Sequence, residues 1–207
     1  MELFGYGEDA LTLWALTSRL STTLHELNDL TSPSNCRVFF RPSFGRRGGS
    51  KSSQFGEFDF ILLSKDSIYL GESKWDKSSE IIVENNLTLK NEQLLRHDLF
   101  KFYLENWAFG GYQSWKEFSI HAKSRLEQIS ITKPVAPDGS LLATNLRTIL
   151  NVIREYYQSL PRVQNLLLYF YDKRYTQNFP DKAGIDFQVL RIDYSVICYD
   201  QFIRIDL

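Results

Sequence analysis

The chain has 207 residues, of which 43% are hydrophobic and 24% charged, with a formal net charge of -1. That composition supports one sizeable core. No apolar run approaches the roughly 18 to 20 residues that cross a bilayer, and the opening "MELFGYGEDA" has neither a basic start nor a cleavable apolar core. The expectation is a single cytoplasmic domain, with no membrane partner. Cys36 and Cys198 lie far apart in strand-like apolar runs, which argues against a disulfide framework or a zinc site and for buried thiols.

In chain order, residues 8–28 repeat apolar side chains at Leu13, Leu16, Leu20, Leu24 and Leu27, a helical spacing. "CRVFF" (36–40) reads as a strand. A basic glycine and serine loop follows, and between Leu30 and Gly56 the chain has Arg37, Arg41, Arg46, Arg47 and Lys51 but no acidic residue. Residues 56–75, "GEFDFILLSKDSIYLGESKW", read as a hairpin, and 90–107 as an amphipathic helix. An aromatic, irregular region leads to a further helix over 143–158, which Pro161 brings to an end. "NLLLYFY" (165–171) reads as a fully buried strand, with terminal strands in "FQVLRIDY" and "VICYDQFIRIDL". The fold class is therefore α/β, a central mixed sheet flanked by helices.

The hairpin carries Asp59, Glu72 and Lys74 in otherwise apolar strands, where unpaired charges cost several kcal/mol each, on the order of ion desolvation penalties. An even turn centred between Lys65 and Asp66 sets Leu63 against Ile68 and, counting outward, Asp59 against Glu72. Opposed residues of an antiparallel pair share a face with Cβ atoms about 5 Å apart. Lys74 falls on the same face as Glu72, while Ser73 points away. Two carboxylates so placed repel unless a cation lies between them, and Mg2+ or Mn2+ takes such oxygen ligands together with water and substrate phosphate. The expected work of Lys74 is to orient or deprotonate a water, or to stabilise charge developing on a phosphate. A phosphodiester is the matching substrate.

Asp59, a gap, then Glu72-Ser73-Lys74 resembles the motif of the PD-(D/E)XK nuclease superfamily, the restriction-endonuclease-like fold. Phe58 stands where that motif often has proline. The order helix, three strands, helix, strand resembles its αβββαβ core. The resemblance implies a core over 1–107 plus the strand near 165–171, a helical insertion over 108–164, and C-terminal strands. It also implies a metal-dependent endonuclease cutting DNA, with Asp59, Glu72 and Lys74 catalytic. Asp59, Glu72, the Ser73 carbonyl and an acid of the first helix would be metal ligands. For that acid Glu8 is preferred over Asp9, although the 3.6-residue period puts Asp9 on the apolar stripe. Gln93 resembles a glutamine that some branches place near the site.

Arg41, Arg46, Arg47 and Lys51, leading into the strand of Asp59, are expected to meet backbone phosphates of duplex DNA, with Gln93 and Arg96 beside them. RNA and branched DNA are equally compatible with these residues. A homodimer would supply two sites for two strands. "GRRGGSK" lacks P-loop spacing, and His25, His97 and His121 lack metal-ligand spacing. The competing reading is a noncatalytic nucleic-acid-binding or assembly protein that keeps the fold. Facing acids that repel phosphate argue against it.

Overall fold

A strand covered on both faces needs no polar alternation, and the runs "FILL" and "NLLLYFY" are buried along almost their whole length. They belong to a computed structural model that describes residues 1–44, 56–78, 82–128, 135–176 and 178–206. The chain forms two compact units, one built from Met1–Pro42, Phe58–Lys90 and Arg162–Leu207, the other from Ser43–Glu57 and Asn91–Pro161. The region expected as an insertion, 108–164, falls mostly in the second unit, which takes up the chain earlier, at Asn91. Among the described residues no helix is long and apolar enough to cross a membrane.

The first unit holds strands β1 (Glu2–Gly5), β2 (Arg37–Phe40), β3 (Phe60–Leu63), β4 (Ser67–Trp75), β5 (Ile82–Val83), β6 (Asn86–Leu87), β7 (Arg162–Tyr171), β8 (Lys182–Ala183), β9 (Phe187–Asp193), β10 (Cys198–Tyr199) and β11 (Phe202–Asp206). Its helices are α1 (Gly7–Leu16) and α2 (Leu20–Glu26). Eight strands make a mixed sheet in the order β2-β3-β4-β7-β9-β8-β6-β5, and β1-β11-β10 make a smaller antiparallel one. β2, β3 and β4 are antiparallel neighbours, whereas β4, β7 and β9 run parallel. The α/β expectation therefore holds, and so does the hairpin register: Leu63 pairs with Ile68 and Phe60 with Gly71.

One face of the sheet, carrying Phe60, Leu62, Tyr69, Leu166, Leu168 and Phe170, packs with Leu11, Ala15, Leu20 and Leu24 of the two helices. At about 1.5–3 kcal/mol per fully buried large apolar side chain, this cluster is the main favourable term in the unit. Beyond Lys74, Asp76 gathers the ends of three strands. Its Oδ1 accepts from the Tyr194 hydroxyl at 2.8 Å, its Oδ2 accepts from the Asp172 amide at 2.8 Å and from the Thr176 hydroxyl, and its own amide donates to the Phe170 carbonyl at 2.9 Å.

The single helix expected over 8–28 is two. The break at 17–19 has a chemical cause: hydroxyl side chains offer the backbone other partners there. Thr17 donates to the Leu13 carbonyl at 2.7 Å, Thr23 to the Ala15 carbonyl at 3.1 Å, and Ser18 reaches the Asp206 carbonyl at 2.6 Å. The break also corrects the placement of Asp9. The stripe that put it on the apolar face ran through Leu20, which belongs to the next helix, and Asp9 is exposed. The last strand expected, over 196–207, is a hairpin, β10 to β11, turning at Asp200 with φ 55°. β1, which the sequence left unassigned, pairs with β11. Cys36 and Cys198 are half-buried free thiols.

The second unit contains α3 (Asn91–Tyr103), a π-helical turn at Leu104–Ala108, α4 (Trp115–Gln128) and α5 (Leu141–Tyr156). α5 starts earlier than the apolar period suggests because the Ser140 hydroxyl caps it, accepting from the Ala143 amide at 3.1 Å. The aromatic region "YLENWAFGGYQSW" is packing: Tyr103 stacks on Trp115 with centroids 5.6 Å apart, and Trp107 and Phe118 close the cluster. At the end of the π turn, a Cβ on Gly110 would lie 1.9 Å from the Asn106 carbonyl oxygen, a backbone atom with no room to retreat. Gly110→Ala is expected to cost about 2–3 kcal/mol, the range of overpacked sites. Urea unfolding would read this as a lower midpoint at unchanged slope.

Candidate active site

A leucine at position 72 would add about 2 kcal/mol by burial, whereas taking a carboxylate out of water costs several even when it is paired. Glu72 is nonetheless 1% exposed and Lys74, on the same strand face, 8%. β3 places the third charge. Its ladder with β4 ends at Phe60–Gly71, one residue short of an Asp59–Glu72 pair. The Asp59 amide still donates to the Gly71 carbonyl at 3.2 Å.

Where β3 ends, Asp59 finishes the edge with its side chain. Its Oδ2 accepts from the Ser73 amide at 2.8 Å. With a strand period of two, the Ser73 carbonyl faces the same edge as the Gly71 carbonyl, so it points toward Asp59. The Ser73 hydroxyl lies on the opposite sheet face and accepts from the Thr12 hydroxyl at 2.7 Å, a buried bond that fixes α1 against β4.

That bond sets the position of Glu8, because Thr12 and Glu8 are one turn apart on α1 and Thr12 also donates to the Glu8 carbonyl at 2.8 Å. Glu8 Oε1 lies 3.5 Å from Lys74 Nζ. Burial lifts the Glu8 carboxyl to about 7, Lys74 opposes the rise, and the Asp59 charge adds to it. Asp9 turns away and pairs with the Arg41 guanidinium. The 26% exposure of the Glu8 side chain against 53% for Asp9 separates the two acids of the first helix.

The remaining candidates are scattered. Arg41, with φ 48°, donates its amide to the Asp59 carbonyl at 3.0 Å and so stands at the rim of this cluster. Arg46, Arg47 and Lys51 lie outside the described residues. Gln93 and Arg96 belong to α3 in the second unit, where the Arg96 guanidinium packs so tightly on Gly56 that a Cβ there would meet its Nη1 at 2.6 Å. His97, next to it, is buried. Sequence reasoning missed Thr12, although its place four residues after Glu8 puts both on one side of the helix.

The donor set at the end of the hairpin is all oxygen: the Asp59 and Glu72 carboxylates and the Ser73 carbonyl. Among the described residues, no group of three or more His, Cys, Asp or Glu side chains is drawn together closely enough to hold a metal ion. Glu8 instead leans on Lys74. Two carboxylates and a carbonyl fit a hydrated Mg2+ or Mn2+, which uses one or two protein carboxylates and leaves other positions to water and phosphate.

Because the folded-state value of Glu8 lies above the usual 4.5, its contribution to stability is complete below pH 4.5 and is lost as pH rises through 7. In EDTA, wild-type protein is expected to lose on the order of 1–2 kcal/mol more than Glu8→Gln between pH 4.5 and pH 8, after allowance for the water that reaches this side chain. Urea midpoints of both proteins at the two pH values test this, and equal losses would contradict it. Searches against protein-family models, curated proteins and solved structures found no significant match to this chain.

Proposed function

We propose that the chain is a metal-dependent nuclease that hydrolyses DNA phosphodiester bonds with Mg2+ or Mn2+. The reading rests on one observation: Glu72 and Lys74 are buried on one strand face beside Asp59, at the strand end where Asp59 binds the Ser73 amide. With α2, β5, β6, α4 and α5 set between its members, the chain order α1, β2, β3, β4, α3, β7 contains the αβββαβ order that the PD-(D/E)XK resemblance implies.

In this reading Asp59 and Glu72 would hold the ion, with the Ser73 carbonyl beside them. The chemistry that a divalent ion would supply there is polarisation of the scissile phosphate and a more acidic water. Asp59 enters the reaction already oriented, because the Ser73 amide fixes one of its oxygens. Lys74 faces the phosphate as a cation and proton carrier, and Glu8, 3.5 Å away, positions its ammonium. The buried hairpin charges then have a use that outweighs their cost to folding.

The test is nicking of supercoiled plasmid at low salt with Mg2+ or Mn2+, an EDTA control and the Asp59→Ala protein. Conversion to open-circle or linear product that needs metal and Asp59 supports the proposal. If plasmid, single strands, branched DNA and RNA all stay intact and titration detects no metal binding, the noncatalytic reading replaces it.

A further inference from the structure

The small sheet has one face in the core and one in water. Ile203, Ile205 and Cys198 point into the apolar cluster. The opposite face follows from the register: Glu2 with Asp206, Phe4 with Arg204, and Tyr199 with Phe202. Counting one step further, Tyr6 falls beside Phe202, and their rings lie 6.5 Å apart. Phe4, Tyr6, Tyr199 and Phe202 expose between 41% and 65% of their surface, an unusual concentration of aromatic area in water. Phe4 and Tyr199 meet edge to face at 5.7 Å.

One end of this row approaches the candidate active site from the Ser73 face of β4. Tyr6 lies 6.1 Å from the ring of Trp75, the residue after Lys74, and Tyr6 itself is two residues before Glu8. One cation accompanies the aromatics at that end, Lys77, which sits over the Trp75 ring at 5.4 Å, whereas Arg204, on the same sheet face, pairs with Glu2 at 3.9 Å. The two acids, Glu2 and Asp206, stand opposite each other at the far end, where Glu2 meets Arg204.

We infer that this face is a stacking platform for the unpaired bases of a single-stranded nucleic acid whose backbone continues into the Asp59–Glu72–Lys74 site. The inference rests on the nuclease reading for the direction of the strand. Aromatic faces in water stack on bases without regard to sequence, while a duplex hides its base faces in its own stack. A cation at the end of such a row, as Lys77 is, attracts the phosphate backbone. A purely apolar protein partner would gain nothing from Lys77, and the row ends near the residues that the nuclease reading assigns to phosphate chemistry.

The test uses Lys74→Ala protein in EDTA, so that binding is read without cleavage, by fluorescence anisotropy at low salt with a labelled single-stranded DNA, its RNA counterpart and the matching duplex. Single strands are expected to bind more tightly than the duplex. Adding Tyr6→Ala and Phe202→Ala should weaken single-strand binding by about tenfold or more and leave duplex binding unchanged. Tyr199→Ala, on an exposed hairpin, should do the same in part, and Tyr6→Phe should retain affinity because it keeps the ring. Equal loss on both forms, or no loss, overturns the platform. So does a concentration-dependent dimer in sedimentation that Phe202→Ala abolishes, because the face would then be an interface between copies. Base-dependent binding with no cleavage by the unmodified protein would remove the nuclease reading and keep the platform. Cleavage by the unmodified protein, coupled with platform substitutions that leave binding unchanged, would do the reverse.

Discussion

Replacing Lys74 with alanine is expected to slow metal-dependent nicking by about 10²- to 10⁴-fold, the range for removal of a positioned proton-transfer group. Loss of a structural cation alone would instead appear as unfolding. The two are separated by reading stability beside activity, since without the ammonium at 3.5 Å burial favours the protonated, uncharged form of the Glu8 carboxyl. Thermal melts of Lys74→Ala at pH 6 should therefore stay close to wild type while nicking is lost. Lys74→Arg sharpens the test, since a guanidinium keeps the positive charge but does not give up a proton in this pH range. Retained nicking in Lys74→Arg would assign the lysine to charge stabilisation, and full nicking in Lys74→Ala would remove it from the reaction.

Gly71→Ala is expected to be the most damaging small substitution in the hairpin. Gly71 pairs directly with Phe60, and a Cβ there would lie 2.1, 2.2 and 2.4 Å from three atoms of the Phe60 ring. The ring covers the glycine, so no slight rotation clears the clash, and Phe60 is wholly buried. Overpacking at such a site costs about 3 kcal/mol, which for a chain of this size lowers the melting temperature by roughly 6–12 °C. Asp59 precedes Phe60, so the same displacement disturbs the site. Phe60→Leu placed on Gly71→Ala should recover part of the loss, giving a favourable coupling in a double-mutant cycle. A Gly71→Ala protein that melts with wild type would show that the ring has room to move.

The hairpin was legible because its information is local. An even turn and a period of two fix which residues meet, and both are written in twenty consecutive letters. The break between α1 and α2 was not legible, since Thr17, Ser18 and Arg19 include neither glycine nor proline, and the Ser18 hydroxyl finds its partner at Asp206, at the other end of the chain. β1 was missed for a related reason: "ELFG" is short and becomes a strand by pairing with β11. In the cluster around Lys74, residue types and spacing gave Asp59, Glu72 and Lys74. The 3.6 period favoured Asp9 over Glu8 by counting through a helix end, whereas the bond from Thr12 to Ser73 depends on packing that no single segment contains.

The carboxylate of Asp76 has a consequence for how the central strands find their places during folding. From Leu166 to Tyr171 β7 is so apolar that sliding it along β4 by two residues would still set leucines and aromatics on both faces of this part of the sheet, although it would part Gln164 from the Ser67 hydroxyl, 3.2 Å away. The same slip would carry the Asp172 amide and the Phe170 carbonyl away from Asp76 and strand the buried Tyr194 hydroxyl. Each unpaired buried group costs about 1–3 kcal/mol. One acid at the strand end thus makes neighbouring alignments unequal, and an apolar stretch of sheet that is nearly indifferent to register acquires a mark from which Glu72 and Lys74 are counted.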